Sequence, residues 1–164
     1  MNLFDFSLLL STLLCSLVTG FLFAYAVIIM PGIKSLDDAQ FLRVFQVTDR
    51  VIQDNHPLFM LVWVGSAISL LLCAVLGFGR LQGLDLGLLL GATAIYLFGV
   101  QASTIRIHLP LNNALQVLQL ETLSETGLRE ARNKFEDRWN RSNRIRTMLA
   151  CCTSALLIVL VFRL

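Results

Sequence analysis

The stretch that decides the fold runs from Leu8 to Met30 and reads LLLSTLLCSLVTGFLFAYAVIIM, without a single charged residue. A helix needs about 20 apolar residues to cross about 30 Å of hydrocarbon, and this run is long enough. Three further runs repeat the pattern. Leu58 to Phe78 is uncharged, Leu84 to Ala102 carries only Asp85 at its edge, and Met148 to Phe162 is uncharged. The last is short alone, but the helical pattern continues upstream and can complete a span. Backbone polar groups in lipid must pair within the segment, so these runs predict helices. A β-barrel would need period-two alternation, which is absent. The leader MNLFDF has no Lys or Arg, and the first run exceeds a signal-peptide core, so a retained span is expected.

Composition points the same way. Of 164 residues, 56% are hydrophobic and 15% charged, and the mean hydropathy is +0.73. Soluble domains carry about 25% charged residues. The deficit excludes a disordered chain, a nucleic-acid-binding domain and an ordinary soluble enzyme. A net charge of +2 gives no reason to expect a polyanionic partner. The lipid bilayer is the expected partner. The sequence predicts an all-α, integral membrane four-helix bundle, one domain over residues 1–164. Its spans lie at about 8–30, 58–78, 84–102 and 146–162, with two amphipathic loop helices on one face at about 36–53 and 123–145.

Eleven of the thirteen Lys and Arg residues lie in or beside the two long loops, against Arg80 and Arg163 elsewhere. The positive-inside rule then puts both loops in the cytoplasm and both termini outside, in the plasma or inner membrane if the host is bacterial. Small residues recur every four positions: Ser16, Gly20 and Ala24; Gly65, Ser69, Cys73 and Gly77; Gly83, Gly87 and Gly91; Cys151 and Ala155. Such rows let helices approach closely, within the chain or in a homo-oligomer. The four cysteines all fall inside spans with no CxxC pair and no neighbouring His, and read as small apolar fillers.

The loops have pattern of their own. Ser35 and Asp38 suggest a capping box ahead of a Phe41, Phe45, Thr48, Ile52 stripe, with Arg43, Gln46, Arg50 and Gln53 opposite. This helix is expected to end near Asn55-His56-Pro57. Thr122 and Glu125 suggest a second capping box, opening one long helix that runs into span four. On it Phe135, Trp139, Asn143 and Arg146 share a sector of about 80°. Lys134, Asp137, Arg138, Arg141 and Arg144 lie away from that sector. Asn143 and Arg146 therefore need partners near membrane depth. Asn113, after Pro110-Leu111, is expected to cap a following helix.

With four spans, both long loops emerge on one face. That face collects His56, His108, Gln46, Asp49, Gln101, Asn112, Trp139, Asn143 and Arg146, while the other face has almost nothing polar. A polar mouth on an apolar bundle suits a small-molecule pocket. Each residue also has a plainer role. His56 and His108 can be structural, Trp139 can be an interface anchor, and Arg146 can reach lipid phosphate. No carboxylate has helical spacing to both histidines, so no metal is expected, although two histidines and one carboxylate leave a facial triad conceivable. There is no GxGxxG, P-loop, GxSxG or CxxCH.

Four segments carry a resemblance: Met30-Pro31-Gly32, Phe45-Gln46 through Arg50, His108-Leu109-Pro110-Leu111-Asn112-Asn113, and Trp139 with Asn143, Arg146 and Thr147. In these the chain resembles the small four-span membrane proteins that include the fungal anthrone oxygenases. The resemblance covers nearly the whole chain. It implies cofactor-free oxygenation of a polyphenolic anthrone by O2 to an anthraquinone. A base is then needed, for which His56, His108 and Asp49 are candidates. Asn112, Asn143 and Arg146 would hold the enolate-like oxygen, and Trp139 would stack on the flat ring, with Gln46 and Gln101 as further binding candidates. Two other classes stay open: a non-enzymatic membrane module binding a hydrophobic ligand or partner helix, and a metal-dependent membrane oxidase.

Overall fold

The structure, a computed structural model, describes residues 2–164. Five helices carry nearly all of them: α1 Leu3–Ile33, α2 Asp38–Gln53, α3 Pro57–Phe78, α4 Gly83–Gln116 and α5 Glu125–Arg163. A short 3-10 turn, Leu120–Thr122, precedes α5. Helices α1, α3, α4 and α5 are long and apolar enough to cross a membrane. No strand occurs among the described residues. The fold is the all-α bundle expected from the four apolar runs.

The helix ends follow local chemistry, with two corrections to the expected caps. Asn2 and Asp5 form a reciprocal capping box on α1. The cap of α2 is Asp37, which accepts from the Gln40 amide at 2.8 Å; Ser35 instead donates to the Gly32 carbonyl. The cap of α5 is Ser124, which accepts from Gly127; Thr122 turns back to the Gln119 carbonyl. In both cases the residue immediately before the helix competes better for the free amides. Between α2 and α3, Asn55 takes a left-handed φ of 56°, and Pro57 opens α3 where no N–H is needed.

Two proline sites show how α1 and α4 outlast their apolar cores. A π turn over Tyr25–Ile29 precedes Pro31, and another over Thr104–His108 precedes Pro110. Proline blocks the normal bond to the carbonyl four residues back, and the wider π turn absorbs the conflict. A third π segment spans Ile95–Gln101. So α4 does not stop near residue 102 but continues to Gln116. Asn113 is consequently inside a helix and caps nothing; its side-chain oxygen accepts from Gln53 Nε2 at 2.9 Å.

The packing seams run at alternating three- and four-residue spacing. On α1 the seam follows Phe4, Leu8, Ser11, Cys15, Val18, Leu22 and Tyr25, with Ser7 and Met30 also buried. On α5 it follows Phe135, Trp139, Asn143, Arg146, Ala150, Thr153, Leu157 and Leu160, opening with two steps of four, and Ser142, Thr147 and Ser154 are buried beside it. This 3.5-residue period is that of knobs-into-holes packing. The expected small-residue rows fare unevenly. Ser69, Cys73 and Gly77 are buried, and a Cβ on Gly77 would collide with Leu89 and Phe4. Gly20, Gly83, Gly87, Cys151 and Ala155 are exposed, so these rows do not form the seams. Larger side chains at the 3.5-residue positions fill the interior instead.

Candidate functional site

The loop-side end of the bundle holds a cavity of about 430 Å³. Its aromatic walls are Phe21, Tyr25, Phe45, Phe59, Trp63 and Trp139. Phe59 and Trp63 stack, with centroids 5.5 Å apart and planes 17° from parallel, and Phe21 meets both edge-on. Trp139 stands opposite, flanked by Tyr25, Phe45 and the ring of His108 at centroid distances of 5.7, 5.3 and 5.1 Å. The shape suits a flat apolar molecule.

The polar lining comes mostly from α4 and α5. On α4, Gln101, Thr104 and His108 line the cavity, and all three lie in or beside its π turns. On α5, Arg146 follows Trp139 by two helical turns along the inward seam. Arg146 is 5% exposed. Its Nε donates to Asn143 Oδ1 at 3.0 Å and its Nη1 to Thr104 Oγ1 at 3.1 Å. Its Nη2 has no protein acceptor among the described residues, and none of their ion pairs includes Arg146. A buried cation without a counter-charge is costly, and its open donor suits an anion.

His108 is 2% exposed. Its Nε2 pairs with Ser142 Oγ at 2.9 Å, while the buried Nδ1 has no partner. Gln101 Nε2 is the other buried side-chain atom left without one among the described residues. Both residues line the cavity. Buried polar atoms in folded proteins are nearly always bonded, so these two orphans leave hydrogen-bonding capacity unused beside the cavity.

Asp49 lies on the α2 side. Its carboxylate accepts from Asn112 Nδ2 at 2.7 Å, Gln116 Nε2 at 3.1 Å and Gln53 Nε2 at 3.2 Å. Burial pushes this carboxyl above its usual value, and the three amide donors pull it partly back. Asn112 uses its other end, Oδ1, to accept from Trp139 Nε1 at 3.0 Å. A chain of bonds thus runs from Asp49 through Asn112 to the indole. Gln46 extends the same α2–α4 seam by donating to the carbonyls of Leu115 and Leu118.

Six of the nine residues singled out from sequence meet around the cavity: Asp49, Gln101, His108, Asn112, Trp139 and Arg146. Three do not. His56 is exposed at the start of α3 and outside the lining. Gln46 is buried, not on a solvent face, and its amide is spent on the backbone. Asn143 lies behind Arg146, accepting from it and donating to the Leu22 carbonyl. Thr104, Tyr25 and Gln116 escaped the sequence reading. Thr104 and Tyr25 fall within or beside apolar runs, and Gln116 lay beyond the expected end of span three. Arg132 also has a fixed role. It donates to the carbonyls of Lys34 and Leu36, pairs with Asp38 and Glu136, and lies 4.3 Å over Phe41. It ties the α1–α2 link and α2 to α5.

Among the described residues no three His, Cys, Asp or Glu side chains come together as a metal-ligand group. The fold and the site together define a class: a small, membrane-type helical bundle with an aromatic cavity lipped by amides and one unpaired arginine. The model of the anthrone oxygenase family matches residues 52–157, more than half of the chain, and the protein belongs to that family. No curated protein and no solved structure matches it significantly. The matched segment contains His108, Asn112, Trp139, Asn143 and Arg146 and leaves out Tyr25, Gln46 and Asp49.

Proposed function

We propose that the protein is a membrane oxygenase that converts a phenolic, anthrone-like aromatic to the corresponding quinone with O2. The observation that carries this reading is Arg146, a buried cation with no counter-charge, set in the wall of an aromatic cavity. The species it suits is a delocalised organic anion. An anthrone gives one readily, because loss of a proton from its ring methylene spreads charge onto the carbonyl oxygen.

His108 takes the role of base. In the tautomer that donates Nε2–H to Ser142, Nδ1 is a bare acceptor on the cavity wall. Asp49 serves less well, since three amides already occupy its oxygens. His56 is out of reach of the cavity. The methylene carbon gives its proton to His108 Nδ1, and the electron pair moves toward the oxygen facing Arg146 Nη2 and Gln101 Nε2. The carbanion adds O2, the resulting peroxide takes up a proton, and loss of water leaves the second carbonyl. In sum, one methylene and one O2 give one carbonyl and one water: the ring carbon is oxidised, one oxygen atom stays on it, and the other leaves as water with both methylene hydrogens. Trp139 and the Phe59–Trp63 stack hold the ring plane and keep water away. By the positive-inside rule, the eleven basic residues beside the long loops favour a cytoplasmic setting for this site.

The test is oxygen uptake by the purified protein with a hydroxyanthrone, above the spontaneous rate, with and without chelator. Uptake that survives chelation is expected. Uptake lost to chelator favours a metal-dependent oxidase. No uptake, with Arg146 and Asn112 substitutions changing only thermal stability, favours a binding module with a structural polar clasp.

A further inference from the structure

On its α2 side the cavity has a hydrogen-bonded wall. Between α2 and α4 the side chains interlock: Gln46 on the Leu115 and Leu118 carbonyls, Gln116 on the Gln46 carbonyl, Gln53 on Asn113, and Asn112 on Asp49. Between α3 and α4 the described residues make one side-chain bond, Ser66 Oγ with Tyr96 Oη at 2.6 Å, and none on its loop side. Helix α3 packs mainly on α1 and on the Gly83–Ala94 part of α4, whereas α4 beyond that part packs mainly on α5 and α2. The two helices join at the Gly79–Gln82 turn and part on the loop side of the Ser66–Tyr96 bond. The cavity residues along the parting are Phe59 and Met60 on α3 and Ile105 and Leu109 on α4. Ile105 is 62% exposed and Leu109 41%.

The depth of this opening follows from helix length. Counted from the Gly79–Gln82 turn, about 20 residues of hydrocarbon end near residue 59 on α3 and near residue 103 on α4. The opening therefore sits at the boundary between acyl chains and headgroups. Phenolic aromatics dissolved in a bilayer collect there, ring in the hydrocarbon and hydroxyl at the headgroups.

From this placement we infer that the cavity opens sideways into the bilayer between α3 and α4, through Met60, Ile105 and Leu109. Its ligand is a membrane-dissolved flat aromatic that arrives from the lipid, not from water. The route rests on the reading that the cavity holds such an aromatic, but the opening is testable without any ligand.

The chain has two tryptophans, Trp63 and Trp139, and both line the cavity. In a Trp63→Phe background only Trp139 emits, and it is 2% exposed. The protein is placed in phosphatidylcholine vesicles whose acyl chains carry bromine either just below the headgroup or near the bilayer centre. The shallow bromine is expected to quench Trp139 more than the deep one. Adding Ile105→Phe and Leu109→Phe, which fill the opening, is expected to abolish the difference. Leu61→Phe, exposed on α3 but outside the lining, is expected to retain it. Equal or absent quenching by the two lipids, or quenching untouched by the filling pair, overturns the opening. Folding of each variant is checked by its helical circular dichroism.

The second measurement adds 1,8-dihydroxyanthraquinone to the vesicles and follows tryptophan quenching in time. The filling pair is expected to slow association and release by the same factor, leaving the dissociation constant unchanged. Association that is not slowed contradicts the route. No binding at all, with shallow quenching intact, leaves the opening standing and defeats the aromatic-ligand reading.

Discussion

Toward the end of the bundle that holds the termini and the short turn, most hydroxyls return to their own helix, the cross-helix pairs being Thr19 with Ser154 and Ser66 with Tyr96 nearer the middle. Ser7 bonds the Phe4 carbonyl, Ser11 that of Ser7, Thr12 that of Leu8, and Thr93 that of Leu89. At the loop end, Gln46, Gln53, Asn112, Gln116, Asn143 and Arg146 reach across to other elements. The interior of the first end is set by shape, with Phe4, Leu8, Cys73, Leu89, Leu157 and their neighbours, and its charged link, Arg163 with Asp85, lies at the rim. The second has a cavity, an unpaired cation and two orphaned polar atoms. A helix can hide its own hydroxyls cheaply in lipid. Cross-helix amides and a lone arginine cost more, and they concentrate at the end that holds the cavity.

Substitutions can break this contrast, and the largest effect is expected at Arg146. Arg146→Leu removes the donor for a developing oxyanion and is expected to lower oxygen uptake on a hydroxyanthrone about 10²–10³-fold. Because it also removes an unpaired buried charge, the melting temperature in detergent is expected to change little. A large fall in melting with uptake retained would make Arg146 a structural clasp. At the other end the opposite pattern is expected. Gly77→Leu drives a side chain into Leu89 and Phe4, costing about 1–3 kcal/mol in thermal unfolding while the folded fraction keeps its turnover.

Asn112→Leu sharpens the contrast within the loop end. It strands the Trp139 indole N–H and takes one donor from Asp49, at a cost of about 1–3 kcal/mol. Both melting and uptake are expected to fall, unlike the Arg146 and Gly77 variants. A smaller effect concerns pH. The Asp49 carboxyl is raised in the folded state, so the unfolded chain releases this proton first. Stability from this group is therefore greatest at acid pH and declines as pH rises from its ordinary value of 3.8 through the raised one. Melting measured across that window is expected to show the decline, and Asp49→Asn is expected to flatten it. The smallest effect is His56→Ala, within about 0.5 kcal/mol in melting and with unchanged uptake.

The contrast between the two ends was partly legible in the sequence. Four apolar runs sufficed for the helices, and the 100° arithmetic on Phe135, Trp139, Asn143 and Arg146 placed all four on the buried side of α5. What misled was taking polarity as exposure. Gln46 sits on the buried side of α2 because the carbonyls of Leu115 and Leu118 accept from it, at and just past the end of a helix extension not visible in the hydropathy. The extension itself depends on the π turn ahead of Pro110, where proline ordinarily suggests an end. Four-residue spacing of small residues also misled. Gly83 and Gly87 satisfy the pattern yet face outward, since the seam follows a 3.5-residue period instead. Resemblance pointed to the oxygen chemistry; the cavity adds that His108, and not His56, lies in its lining.

In the proposed reaction His108 and Arg146 together ionise the ring methylene before oxygen acts. Hydrogen–deuterium exchange of the hydroxyanthrone methylene, measured without oxygen in heavy water, isolates that step. The protein is expected to accelerate exchange above buffer, with the acceleration lost in both His108→Gln and Arg146→Leu. Rapid oxygen uptake by a protein that leaves anaerobic exchange at the buffer rate would contradict the account.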